Sequence, residues 1–184
     1  MVNPDIEPVI QSAMQGNREA FTEIVHRYQS FAFRLAYGIL NDRMEAEDAV
    51  QEAFTKAFFS IKKLKSAYAF HSWLSRIVTN NCLDRLKKRR STVQSEDIEN
   101  MAHSQSLVQE EQLQSMNRLS LQEALAQLSP EKRVVIVLKE VHGFDYQEIA
   151  DLLSIPLGTV KSRLHTGRLQ LRQFLLQQAD EEGK

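Results

Sequence analysis

The sequence predicts an all-α protein of two small helical domains joined by a flexible linker. Three observations carry this. Apolar residues recur at i, i+3 and i+4 along both ends of the chain, the spacing of an amphipathic helix. Only six Gly and four Pro occur in 184 residues, too few for a turn-rich all-β fold. Between the helical ends, residues 91–117 (STVQSEDIENMAHSQSLVQEEQLQSMN) have no aromatic, Lys or Arg. Such a stretch cannot bury enough apolar area to offset chain entropy, so it reads as a linker. The expected boundaries are therefore 1–90, 91–117 and 118–178, with a tail at 179–184.

The first domain reads as helical throughout. Asn17 caps a helix whose Phe21, Ile24, Val25 and Tyr28 share a face, continued by Phe31, Leu35, Ile39 and Leu40. Asn41-Asp42 breaks it. Asp42 and Glu45 form a capping box that opens the next helix, EAEDAVQEAFTKAFFSI. Val50, Ala53, Phe54 and Ala57 face its core. Asp48, Gln51 and Glu52 form an acidic polar patch on another face, which periodicity alone reads as solvated surface. Residues 60–69, SIKKLKSAYA, lack a clean period and read as a basic loop with Lys62, Lys63 and Lys65 exposed. FHSWLSRIVTNNCLDRLKKRR then resumes as a helix. Phe70, Trp73, Leu74, Ile77 and Leu83 can pack inward, while Arg76, Asn80, Asp84, Arg85 and Lys87 line the other side. Its last residues, Lys87-Lys88-Arg89-Arg90, exceed what one helix C-terminus needs. Aromatics, amides and cations together suit stacking on, and hydrogen bonding to, unpaired bases.

After the linker, Leu121, Leu125 and Leu128 mark one helix. Ser129-Pro130-Glu131 opens another, carrying Val134, Val135, Val137, Leu138 and Val141, and Gly143 ends it as a left-handed cap. Asp145 and Glu148 form a capping box, and Ile149, Leu152 and Leu153 share one apolar face. Ser154-Ile155-Pro156 breaks that helix, and Pro156 fits the first turn of the next. Ser154 stands where many such turns place Gly for a left-handed backbone. Val160, Leu164, Leu171, Leu175 and Leu176 make an inward stripe in the last helix. Between Asp151 and Asp180 no acid occurs, yet four Lys/Arg do: Lys161, Arg163, Arg168 and Arg172. A helix that keeps cations and excludes acids suits a polyanion. Two helices and a tight turn, at about residues 146–165, give the layout of a helix-turn-helix whose second helix enters the major groove. An amphipathic hairpin with a solvated basic face is the plainer alternative.

Charge is segregated to match. The net charge is −1, but residues 1–90 carry 14 Lys/Arg against 10 Asp/Glu, residues 91–117 none against 5, and residues 118–184 carry 9 of each. The sole cysteine, Cys82, excludes an internal disulfide framework or a Cys-based zinc site and fits a reducing compartment. The N-terminus lacks the basic and apolar regions of a signal peptide, and no apolar run approaches the roughly 18 residues of a membrane span. The five His, at 26, 71, 103, 142 and 165, show neither metal-ligand spacing nor a nucleophile–base pair. An enzyme, a metal or another cofactor is therefore not expected. A dimeric helix-turn-helix regulator is the nearer rival, but it leaves the acidic patch and the basic-aromatic segment without a use.

Three stretches in order, DRMEAEDAVQEAF, FHSWLSRIVTNNCLDRLKKRR and LSPEKRVVIVLKEVHGFDYQEIADLLSIPLGTVKSRLHTGR, resemble the extracytoplasmic-function (ECF) sigma factors of bacterial RNA polymerase. The resemblance covers nearly the whole chain outside the linker. It implies a specificity subunit that binds core polymerase and directs promoter recognition and transcription initiation in a stress or envelope response. Asp48, Gln51 and Glu52 match the helix that docks on the β′ clamp helices. Ser66, Ala67 and Tyr68 match the loop that captures a flipped minus-ten base, and Trp73, Arg76, Asn80, Asp84, Lys87 and Lys88 match the helix beside it. Thr159, Lys161, Ser162, Arg163, His165, Thr166 and Arg168 match the surface that reads the minus-thirty-five element. The linker matches a segment threaded near the polymerase active site. Further implied partners are the β flap, promoter DNA and an anti-sigma factor. The implied location is cytoplasmic and nucleoid-associated, with an anti-sigma factor able to hold the protein at the membrane. Thr166 departs from the arginine common in the family, and Asp84 from the Asn of some members. Acid and amide accept from and donate to different base edges, so minus-ten preference does not carry over.

Overall fold

The computed structural model describes residues 6–93 and 121–182, with side chains for 6–89 and 121–177. Among the described residues every regular element is helical, as the periodicity predicts. The chain divides into two compact units between Asp84 and Arg85, inside a helix.

The first unit begins with α1 (Glu7–Met14), which the sequence reading did not single out. Ile6, Ile10 and Ala13 bury its inner edge. In α2 (Arg18–Leu40), the Asn17 side chain accepts from the N–H groups of Glu19 and Ala20. Such a cap stabilises a helix by about 1 kcal/mol. Asn41 ends α2 in the left-handed conformation, φ 54°, and Asp42 accepts from the Glu45 N–H to open α3 (Arg43–Ser60). The expected face of α3 is inside: Val50, Ala53, Phe54 and Ala57 are buried.

The basic segment after α3 is not a structureless loop. It forms two 3₁₀ turns, Ile61–Lys63 and Ala67–Ala69. Ile61, Leu64, Ala67 and Phe70 are buried, a spacing of three that belongs to the 3₁₀ helix and is invisible to α- and β-period templates. Lys62, Lys63 and Lys65 are exposed between them.

Helix α4 (Phe70–Val93) runs three residues past the expected start of the linker. Residues 94–117 of that linker lie outside the described residues. The inner stripe of α4 also differs from expectation. Phe70, Leu74, Val78 and Cys82, at i, i+4, i+8 and i+12, are fully buried together with Ser75, Thr79 and Asn81. Trp73, Ile77 and Leu83 are only half-buried. Three small polar residues on the inner side had masked the true face.

In the second unit, α5 (residues 121–126) buries Ala124 and Leu125, and Leu128 follows it into the core. Leu121, expected inside, is 42% exposed. The half-buried Arg133 of α6 (Pro130–Ile136) donates to the carbonyls of Ala126 at 3.2 Å and Leu128 at 3.0 Å. It thereby satisfies the end of α5, and burial pulls its pKa down. A π-helical turn, Val137–Val141, extends α6. The turn rotates Val141 out of the core, where it was expected, to 48% exposure. Gly143 takes φ 73° as the left-handed cap.

In α7 (Tyr146–Leu153) both bonds of the capping box are present: the Glu148 N–H donates to Asp145 at 2.7 Å and the Asp145 N–H to Glu148 at 2.8 Å. Helix α8 (Leu157–Glu182) starts one residue later than expected, with Pro156 as its cap; the Pro156 carbonyl accepts from Thr159 and Val160. Val160, Leu164 and Gly167 pack inward, α8 lying against α6 and α7. Past Leu171 the stripe faces no extensive helix partner among the described residues. Leu175 and Leu176, expected inside, are 42% and 56% exposed.

Candidate nucleic-acid and polymerase interfaces

Three surfaces carry the residues singled out in the sequence. On α3, Asp48, Gln51 and Glu52 are all exposed on the side opposite the Ala49–Ala53–Ala57 core edge. At about 100° per residue, the same face includes Met44 and Phe59. Met44 is 78% and Phe59 77% exposed. An acidic strip thus ends in a large apolar side chain on each side. Phe59 is held in place from beneath: its ring meets Phe58 edge-on at 5.5 Å, and Phe58 meets the buried Phe21 at 5.2 Å. Neither residue is among the expected docking residues, although Met44 is four before Asp48 and Phe59 seven after Glu52, the register of one helix face.

The second surface runs from the 3₁₀ turns onto α4. Ser66 is exposed, and its hydroxyl accepts from the Tyr68 N–H at 3.3 Å, which shapes the turn. Tyr68 is 71% exposed. A hydrogen bond to the Glu7 carboxylate of α1 pushes its hydroxyl pKa up. Ala67 does not join this surface: it is 4% exposed, and its methyl fills the core beneath the turn. On α4, Trp73, Arg76, Asn80, Asp84 and Lys87 fall at i, i+3, i+7, i+11 and i+14, one line on the side away from the core. Arg76, Asn80, Asp84, Lys87 and Lys88 are exposed, and Trp73 is half-buried with its ring 5.7 Å from Phe70.

The third surface is α8. Ser154, the residue at the turn, adopts the left-handed conformation, φ 54°, that the motif requires despite not being Gly. Lys161, Ser162, His165 and Thr166 are exposed, and Thr159 and Arg163 are half-buried. Lys161, His165, Arg168 and Arg172 lie on one line at i, i+4, i+7 and i+11, while Arg163 and Thr159 flank the opposite edge of the exposed face. Three of these side chains are already engaged, the first being Ser162, whose hydroxyl donates to the Thr159 carbonyl at 3.1 Å. Arg168 donates from Nε at 2.9 Å and from Nη2 at 2.5 Å to Glu140 of the π turn. The Thr166 hydroxyl donates to the carbonyls of Ser162 at 3.0 Å and Arg163 at 3.3 Å. Lys161, Arg163, His165 and Arg172 make no ion pair among the described residues. No local pattern marks the Arg168–Glu140 pair, because Glu140 is 28 positions away.

Among the described residues, no group of three His, Cys, Asp or Glu gathers as metal ligands would. Nor is any described helix long and apolar enough to cross a membrane.

Comparison with known proteins gives these surfaces a context. Residues 24–92 match the family model of sigma-70 region 2 and residues 118–171 that of sigma-70 region 4. The chain is 34% identical over 182 residues to the ECF RNA polymerase sigma factor SigW of Bacillus subtilis, covering 92% of this chain and 96% of SigW. It is 36% identical over 172 residues to SigE, an ECF RNA polymerase sigma factor of Mycolicibacterium smegmatis, covering 91% of this chain but 66% of SigE. Among solved structures it resembles the sigma factor RpoE of Bartonella quintana, crystallised with the anti-sigma factor NepR. The TM-score is 0.66 at 26% identity, over 84% of this chain and 96% of that one.

Proposed function

The chain belongs to the ECF RNA polymerase sigma factors, transcription initiation factors rather than enzymes, and from that premise we propose how its surfaces divide the work. Residues 1–90 dock on core polymerase and open the promoter. Residues 118–178 hold the upstream duplex, and residues 91–117 tether the two.

The observation that carries this reading is the segregation of chemistry between two helices, α3 and α4. The acidic face of α3, with Met44 and Phe59 at its ends, fits a basic helical partner, here the β′ clamp helices. The separate line from Tyr68 through Trp73 to Lys88 combines ring faces, amides and cations. Rings offset the cost of unstacking bases, a few kcal/mol each; cations neutralise phosphates. On α8, Lys161, His165 and Arg172 suit phosphates, while Arg163 and Thr159 suit base edges of the minus-thirty-five element and the Ser162 hydroxyl, its proton given to Thr159, is left as an acceptor. Arg168 acts chiefly to fix α8 on the π turn through Glu140, and the Thr166 hydroxyl serves its own helix. The second unit also meets the β flap. By analogy with the RpoE–NepR complex, an anti-sigma factor covers these faces when the chain is silent. The surfaces become usable when it is released into the cytoplasm.

The test separates the two contacts. Asp48→Ala with Glu52→Ala is expected to abolish polymerase binding while leaving the circular dichroism spectrum unchanged. Arg163→Ala is expected to reduce promoter-dependent run-off transcription and leave polymerase binding intact. Equal loss of both properties in both variants would refute the division.

A further inference from the structure

Asn81 is an amide set into the apolar inner stripe of α4, 3% exposed. Its carboxamide reaches α3 at two points. Nδ2 donates to the Ala49 carbonyl at 3.2 Å, and Oδ1 accepts from Lys56 Nζ at 2.6 Å. Positions 49 and 56 are about two turns apart, so one side chain spans the inner edge of α3. The orientation of the amide follows from its partners: reversed, it would turn donors toward an ammonium. The same ammonium pairs with Glu52 Oε1 at 2.8 Å. Polar contacts therefore run without a break from an exposed carboxylate on α3 to a buried amide on α4.

We infer that Asn81 and Lys56 are positioning residues that transmit polymerase engagement at Glu52 to the helix that opens the promoter. The inference rests on the roles proposed above for Glu52 and α4. Bases drawn out of their stack load α4, and that load has to be borne against α3, the helix held by polymerase. Apolar packing resists separation but is non-directional. A part-buried hydrogen bond to an ammonium fixes register, because it loses most of its strength when misaligned. A polymerase cation that pairs with Glu52 competes with Lys56 for the carboxylate. Lys56 keeps Asn81 as its partner, so the bridge between the helices persists in the bound state.

Reconstituted holoenzymes test this on a single promoter. Lys56→Met keeps the aliphatic stem and removes the ammonium; Lys56→Arg restores a cation; Asn81→Leu removes the amide. Polymerase affinity is read by titration of labelled chain, and opening by 2-aminopurine fluorescence in the minus-ten element at saturating polymerase. Lys56→Met should bind polymerase within about threefold of the parent, as the loss of an exposed pair permits. Its opening rate should fall about tenfold, the scale of one charged hydrogen bond. Lys56→Arg should recover most of that rate, and Asn81→Leu should match Lys56→Met. An unchanged opening rate in Lys56→Met overturns the proposal. So does a fall of affinity and opening together, in proportion to the folded fraction. Glu52→Gln is the separate control: unchanged polymerase affinity there sinks the docking role of Glu52 and not the bridge.

Discussion

Gly167 sits on the buried side of α8 where that helix crosses α6. A Cβ built there would lie 3.0 Å from Ile136 Cγ1 and 3.2 Å from Cδ1. Valine adds two further carbons into the same space, so Gly167→Val is expected to destabilise the second unit by about 1–3 kcal/mol. Thermal unfolding of the full chain would read this as a lower Tm, and Ile136→Ala in the same chain should recover part of the loss. Nothing in the sequence marks Gly167, since its significance lies in the partner helix. Asn81 was hidden for the same reason: an amide among Leu74, Val78 and Cys82 looks like a break in the stripe until Lys56 and Ala49 are placed beside it. Ser154 was legible in the opposite sense. It stands where many such turns place Gly, and it adopts the left-handed conformation at a strain of about 1–2 kcal/mol. Arg163 is legible as a cation off the apolar face and Tyr68 only through the resemblance, while the engagement of Arg168 by Glu140 is not legible at all.

At the scale of elements, helices announced themselves by caps and spacing, and their ends were read well wherever a side chain closes them. The Asp145–Glu148 box is the clearest instance. Asp145→Ala removes an acceptor from the first turn of α7 and is expected to cost about 1 kcal/mol. Denaturant titration would show this as a lower midpoint with an unchanged slope. A cost near zero would mean that α7 is held by packing on α8 alone. Errors arose where periodicity had no information about neighbours. The α8 stripe was extended to Leu175 and Leu176 because a pattern cannot say where the partner helix stops. The π turn displaced Val141 because one extra residue per turn breaks the expected phase. The 3₁₀ turns at Ile61–Lys63 and Ala67–Ala69 read as irregular because their period is three, and this hid that Ala67 belongs to the core.

At the scale of the whole molecule, the proposed division of labour gives the two units contacts of modest strength to different parts of one DNA, with polymerase fixing their separation. The second contact is then effectively intramolecular, at a local concentration of the order of millimolar. Three features already limit the affinity of the free chain: its net charge is −1, Arg168 is paired with Glu140, and only a few cations of α8 face outward. The free protein should therefore bind a duplex carrying only the minus-thirty-five element weakly, in the range of about 10⁻⁴–10⁻⁶ M at physiological salt. Adding core polymerase and a promoter that carries both elements should tighten binding by about 10²–10⁴-fold. A promoter with either element scrambled should lose most of that gain. Fluorescence anisotropy on the three duplexes, with and without polymerase, measures each value. Salt gives an internal check, because each phosphate contact removed, as in Lys161→Ala, should flatten the slope of log K against log salt by about 0.9. Nanomolar binding of the free chain to the single-element duplex would mean that the helix-turn-helix acts alone, as in a conventional operator-binding regulator. The acidic face of α3 and the bridge through Asn81 would then need another explanation.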